Sequence, residues 1–169
     1  MKPQHHAIIG GAVALALVPA LGVNSAVFWA SSVLIDGDHY VDYVYRNGFK
    51  DYSIKRMFDF HDLLSDRVKE RSFISLNLMH TAESILLLTV ATVITGWTWL
   101  IAMLGGILLH MLLDVSYMYR QGILFSRAFS IIEYFIRWRR MKRQGLRPEL
   151  HYQVVLDSMF DRQDRRQNR

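Results

Sequence analysis

The 169-residue sequence contains no cysteine. This removes disulfide frameworks and thiolate metal sites together, so any metal ion must be held by imidazole and carboxylate. Lysine and arginine are absent from two long stretches, Ala7 to Ile35 and Met79 to Leu109, in which Glu83 is the sole acid. Both exceed the ~20 apolar residues of one bilayer crossing, so each is one long tilted helix or a hairpin of two. Small residues suited to signal cleavage, followed by soluble-looking sequence, are also missing after the first stretch, which favours a retained membrane segment over a signal peptide.

What is present is strongly segregated. Hydrophobic residues make up 51% of the chain beside a formal net charge of +5, an unusual pairing for a soluble domain. Internal punctuation favours hairpins. Pro19 to Ser25 breaks the first stretch and Thr95-Gly96-Trp97 the second, with Trp97 and Trp99 as interfacial tryptophans. The expected fold is all-α: a polytopic membrane bundle of about four short transmembrane helices, near 5–20, 22–40, 79–95 and 97–119. Gly10, Gly11, Gly105 and Gly106 would let neighbouring backbones approach closely. Residues 1–121 would form the membrane-embedded domain, with the charged loop 41–78 included, and 122–169 an interfacial helix and basic tail.

Four alternating spans place four points on one side: the start of the first, the end of the second, the start of the third and the end of the fourth. That side carries Arg46, Lys50, Lys55, Arg56, Arg67, Lys69 and Arg71 in the middle loop and Arg137, Arg139, Arg140, Lys142 and Arg143 in the tail, whereas the two opposite turns carry no charge. By the positive-inside rule the charged side and both termini are cytoplasmic, in a bacterial-type inner membrane.

The polar residues that interrupt the apolar runs fall at those same four points. His5 and His6 open the first helix, Asp36-Gly37-Asp38-His39 closes the second, His80-Thr81-Ala82-Glu83 opens the third, and His110 with Asp114 closes the fourth. Asp36/His39, His80/Glu83 and His110/Asp114 have i,i+3 or i,i+4 spacing, which in a helix puts both side chains on one face. Any one such pair is commonly a cap or an interfacial decoration; three pairs and an N-terminal histidine on one side point to a metal cluster. Counting one of His5 and His6 with Asp36, Asp38, His39, His80, Glu83, His110 and Asp114 gives enough donors for two ions, or three with His61, since a catalytic zinc keeps about three protein ligands. His61 stays open between a loop ligand and a solvated side chain, and His151 is read as no ligand. Imidazole with carboxylate suits zinc, or manganese and iron in mixed sites.

The order of an N-terminal His, D-x-D-H, a His at a helix start and H-x-x-x-D resembles the inner-membrane-associated metal-dependent hydrolases, whose motifs are similar to those of zinc-dependent phospholipase C and related zinc nucleases. The resemblance covers roughly residues 5 to 119 and implies ligand roles for His5 or His6, Asp36, His39, His80, His110 and Asp114. The chain departs from that pattern at Ile35, where the family often has proline. It also departs at Ser75 to Ser84, where one of two family histidines is missing and Glu83 or His61 is left to take its place.

The expected activity is metal-assisted hydrolysis of a phosphoester in a membrane lipid or lipid-linked substrate, with Asp36 or Asp38 holding or deprotonating the water. The alternative is a metal-binding membrane protein acting in transport or sensing. A conduit would need polar residues through the bilayer, and the outer halves of the helices offer only Asn24, Ser25 and a few threonines. In the middle loop Met57, Phe58, Phe60, Leu63, Leu64 and Val68 have near-helical spacing, as an amphipathic cover lying on the interface or a solvated helix hairpin would. The segment 123–138 reads as an in-plane helix rather than a fifth span. The basic run after it reads as an anchor on anionic lipid headgroups, and no recognition fold for nucleic acid stands behind it.

Overall fold

The computed structural model describes residues 3–167, with side chains through residue 161. In chain order the helices are α1 (Pro3–Leu21), α2 (Asn24–Leu34), α3 (Gly37–Arg46), α4 (Ile54–Ser65), α5 (Ala82–Thr95), α6 (Thr98–Arg120), α7 (Ile131–Arg143) and α8 (Glu149–Gln167). A 3-10 turn, Leu78–His80, leads into α5, and the two-residue strands β1 (Ser75–Leu76) and β2 (Arg127–Ala128) pair in parallel. The chain is thus all-α apart from one short ladder among the described residues. Two helices, α1 and α6, are long and apolar enough to cross a membrane.

Internal contacts divide the chain into two units, residues 1–37 with 78–124, and residues 38–77 with 125–169. This differs from the division expected at 121/122. The middle segment groups with the C-terminal helices because α4 and α8 share an apolar core.

In the first unit, local chemistry sets the helix ends. Gly22, at φ +55°, follows the end of α1, and Gly96, at φ +64°, closes α5, its N–H bonded to the Thr92 carbonyl at 2.9 Å. Thr81 caps α5 by accepting from the Ser84 N–H. The second expected helix does not run to Tyr40. It ends at Leu34, Ile35 and Asp36 form a turn, and α3 starts afresh at Gly37. At 11 and 14 residues, α2 and α5 are roughly 16 and 21 Å long, shorter than a hydrocarbon core of about 30 Å.

Helix α2 packs against both α1 and α6, and two glycines make this possible. A Cβ on Gly106 would lie 2.2 Å from the Phe28 carbonyl oxygen and from Ser31 Oγ; one on Gly10 would lie 2.2 Å from Ser32 Oγ. At Gly11 and Gly105 the approach is looser, 3.4 Å to the Trp29 indole and 3.1 Å to the Phe28 ring. Polarity in this unit runs from inside to outside. His6, Ser25, Ser31, Ser32, His80, Thr81, Thr92, His110 and Asp114 are buried, while Ile8, Leu15, Leu86, Leu87, Val93, Ile94 and Leu112 are exposed. A continuous aliphatic exterior is unfavourable in water and ordinary in hydrocarbon.

The second unit has a conventional core. Met57, Phe60 and Leu64 lie on one face of α4 and pack with Tyr43, Phe73, Tyr152, Val155 and Leu156. The apolar stripe expected to rest on a membrane or stand solvated is therefore largely covered by protein, and of the six residues only Phe58 is exposed, at 50%. Tyr152 donates to the Ile74 carbonyl at 2.8 Å, and His151 shares a 2.8 Å hydrogen bond with Ser72, which tie α8 to the segment before β1. Helix α7 begins at Ile131, where Ser130 accepts from the Ile132 and Glu133 N–H groups, and not near Ile123. Its 13 residues, about 20 Å, are too few for a fifth span.

The close approach at Gly106 is expected to dominate the stability of the first unit. Gly106→Val should lower the thermal midpoint in detergent by the equivalent of about 1–3 kcal/mol, the usual cost of overpacking. Gly11→Ala, whose new methyl meets ordinary contact distances, should move it little.

Candidate metal centre

The centre is built in the first unit, from the break after α2. Because α2 stops at Leu34, its last carbonyls lack partners within the helix. The Ile35 N–H reaches the Ser31 and Val33 carbonyls, and the Ser32 carbonyl accepts from His110 Nδ1 at 2.9 Å. That bond keeps a proton on Nδ1 of His110, so that in the neutral ring the lone pair lies on Nε2. Asp36, in the turn itself, is freed from helical geometry to face the same point.

Five side chains converge there. His80 Nε2 lies 3.2 Å from His110 Nε2, and Asp36 Oδ1 lies 3.4 Å from His110 Nε2 and 3.6 Å from His80 Nε2. His6 Nε2 lies 3.2 Å from Asp114 Oδ1, and Asp114 Oδ2 lies 3.7 Å from His110 Nε2. The His6 and His110 rings stack with centroids 3.8 Å apart, and the His80 ring meets His110 edge-on at 5.1 Å. Donors around a tetrahedral zinc, with arms of about 2.0–2.1 Å, are themselves about 3.3–3.4 Å apart. The separations here have the dimensions of a coordination shell.

Electrostatics favours the same reading. The His6, His80 and His110 side chains are 0–1% exposed and Asp114 8%, while Asp36 keeps 17%. Two carboxylates in an apolar bundle are costly as ions unless positive charge beside them, a dication or a protonated imidazole, balances them. Two groups of potential ligands can be drawn, His6/Asp36/His110 and His80/His110/Asp114. Both use His110, so the two groups adjoin through that residue.

The other candidates from the sequence fall elsewhere. His5 is exposed, while His6 is buried and belongs to one of the two ligand groups. Glu83 is half-buried in the first turn of α5, where a carboxylate suits the helix dipole, and joins neither ligand group. His80 lies in the 3-10 turn before the Thr81 cap, so the helical spacing assumed for His80 and Glu83 does not exist. The Asp36/His39 pair is split in the same way by the turn, and Asp38, His39 and His61 belong to the second unit. There Asp38 is buried near the start of α3. His39 Nδ1 accepts from Asn77 Nδ2 at 3.0 Å, and His61 Nε2 donates to the His39 carbonyl at 3.0 Å, with the two rings edge-on at 4.7 Å. Burial first, and then the charge of neighbouring His39, push the His61 imidazole down to about 4.

His110 and Asp114 do have the expected i,i+4 relation, but they sit inside α6, which continues to Arg120, rather than at its end. Ser32 had no sequence signal, because its contribution is a backbone carbonyl exposed by a helix end. No protein-family model, curated protein or solved structure matches this chain.

His6→Ala is expected to weaken zinc binding more than about 100-fold, beyond the usual effect of losing an outer partner, while His5→Ala leaves it near wild type; competition with a chromogenic chelator measures both. For His61, a folded-state value of about 4 against an ordinary ~6.5 means that the unfolded chain binds the extra proton first. Stability is then fully present above pH ~6.5 and falls as pH drops toward 4. Thermal midpoints between these pH values should slope downward on acidification, and His61→Gln, which can still donate to the His39 carbonyl, should flatten the slope.

Proposed function

We propose that the protein is a multi-pass inner-membrane enzyme that hydrolyses phosphoester bonds in a lipid or lipid-linked substrate, using a divalent metal ion at the cytoplasmic face. The observation that carries this reading is the convergence of His6, Asp36, His80, His110 and Asp114 at coordination distances. The resemblance of the motif order to membrane-associated metal-dependent hydrolases points the same way.

In this reading α1 and α6 cross fully, and α2 and α5 are short crossings around which the bilayer thins. The first-unit donors come from the start of α1, the turn after α2, the turn before α5 and the second half of α6, as four antiparallel segments with one common side would supply them. The basic residues of the middle and C-terminal segments assign that side to the cytoplasm. On the outward surface of α7, Ile132, Phe135 and Ile136 precede Arg139, Arg140 and Arg143, a pattern suited to an anionic headgroup layer.

Within the site the roles divide by burial. The three imidazoles and Asp114 would hold a divalent ion, with Ser32 fixing His110. Asp36, the most solvent-accessible donor, would accept the proton of the attacking water. Such an ion would supply Lewis acidity for a bound water and for charge on a phosphoryl oxygen. Nitrogen and oxygen donors without sulfur suit zinc, with manganese or iron fitting an expanded shell.

Purified protein is expected to contain stoichiometric transition metal, at least about one ion and up to two or three per chain, in elemental analysis. Asp36→Ala, His80→Ala and His110→Ala should each lower metal content and phosphoester hydrolysis while the protein still inserts, and a chelator should reversibly abolish activity. A fully metallated protein that leaves a broad phosphoester panel intact would remove the hydrolase assignment and favour metal sensing or transport.

A further inference from the structure

We infer that an apolar groove between α2, α5 and α6 holds an acyl chain of a membrane phospholipid and thereby places that lipid's phosphoester at the metal centre. The inference rests on the hydrolase reading above and names its substrate class.

The groove belongs wholly to the first unit and has a volume of about 510 Å³, within the usual range of small-molecule sites. Continuity with the centre is its main feature. Ile35, Met79 and Ile107 line one end, and each is a sequence neighbour or one helical turn away from a donor: Asp36, His80 and His110. Leu34 and Met79 stand exposed beside that end. From there the groove runs away from the centre past Ala30 and Ile85 to Val27, Leu88 and Met103.

Its lining selects the occupant. From Leu34 to Val27 is about 10 Å along a helix, a length that part of one hydrocarbon chain spans. The wall offers a polar ligand little. Ser31 Oγ already donates to the Phe28 carbonyl at 3.0 Å, and Ser84 Oγ to the Leu78 carbonyl at 2.7 Å; every other lining side chain is aliphatic or methionine. In a phospholipid the ester carbonyls and glycerol link the acyl chains to the phosphoester, so a chain seated here brings the phosphate, a few bonds farther on, to the end beside the candidate metal centre. Lateral entry from the bilayer would need no aqueous path.

The test uses full-length protein in nanodiscs of a phosphatidylglycerol carrying a photoreactive diazirine midway along one acyl chain. Mass spectrometry of the irradiated protein should find labelling concentrated on the α2, α5 and α6 groove residues. Ala30→Trp and Leu88→Trp, at the middle and far end, should each reduce that labelling about tenfold, the loss expected when two or so methylenes are no longer buried. Leu86→Trp, on the exposed outer face of α5, should leave it unchanged. With phospholipids of graded chain length, Leu88→Trp should also shift the lowest KM toward shorter chains. Labelling spread evenly over the aliphatic exterior, or groove labelling indifferent to both substitutions, would overturn the proposal. The two ideas fail separately: concentrated labelling with no hydrolysis of any phosphoester would remove the hydrolase reading and leave the lipid site standing.

Discussion

The hydrogen bond from His110 Nδ1 to the Ser32 carbonyl, at 2.9 Å, is the constraint on which the metal centre depends. It exists because α2 stops at Leu34 and leaves a carbonyl without a helical partner. One event, the end of a helix, has three consequences: an acceptor that sets the tautomer of His110, a turn that releases Asp36 from helical geometry, and a short α2 that fits between α1 and α6. A continuous helix to Tyr40 would have bonded Ser32 internally and pointed Asp36 wherever its register dictated.

Glycine placement then brings the histidines together. Gly10 lies four residues after His6, and Gly106 four residues before His110, so each glycine is one turn from the imidazole on the same helix face. Gly10 lets α1 settle on Ser32, and Gly106 lets α6 settle on Phe28 and Ser31. These approaches hold α1 and α6 against the same helix, and the rings of His6 and His110 stack at 3.8 Å. Packing and chemistry are therefore not separable here: a methyl group at either glycine would shift the helix that carries a ligand.

Much of this was legible in the sequence. Uncharged runs and their Gly and Pro punctuation mark the apolar helices, and the absence of cysteine narrows the donor set to imidazole and carboxylate. The four glycines were recognisable as close-approach positions, and His6, Asp36, His80, His110 and Asp114 were all among the candidates. What could not be read was where helices stop. Treating Asp36/His39 and His80/Glu83 as helical pairs assumed continuity across Ile35–Asp36 and across the Thr81 cap. The i,i+4 pair that lies within an unbroken helix, His110/Asp114, is the one that came together as its spacing implied. The apolar stripe of α4 was equally visible, but its partner lies some ninety residues later in α8, and amphipathic periodicity does not identify what covers it.

The inside-out polarity of the first unit connects the centre to its surroundings. A soluble metal site can leave excess charge to water and counter-ions, but one enclosed by aliphatic helices cannot. Three neutral imidazoles and two carboxylates around a dication sum to zero, so the loaded centre can sit beside hydrocarbon without a net charge to solvate. Under the proposed function, neutrality of the loaded centre would leave the ion's field available to an arriving phosphate. The same low-dielectric walls that make unbalanced carboxylates costly make that attraction stronger than it would be in water. Under the proposed function the aliphatic groove and the centre act together: the hydrocarbon wall would orient a lipid by its chain, and the buried donors would face its phosphoester.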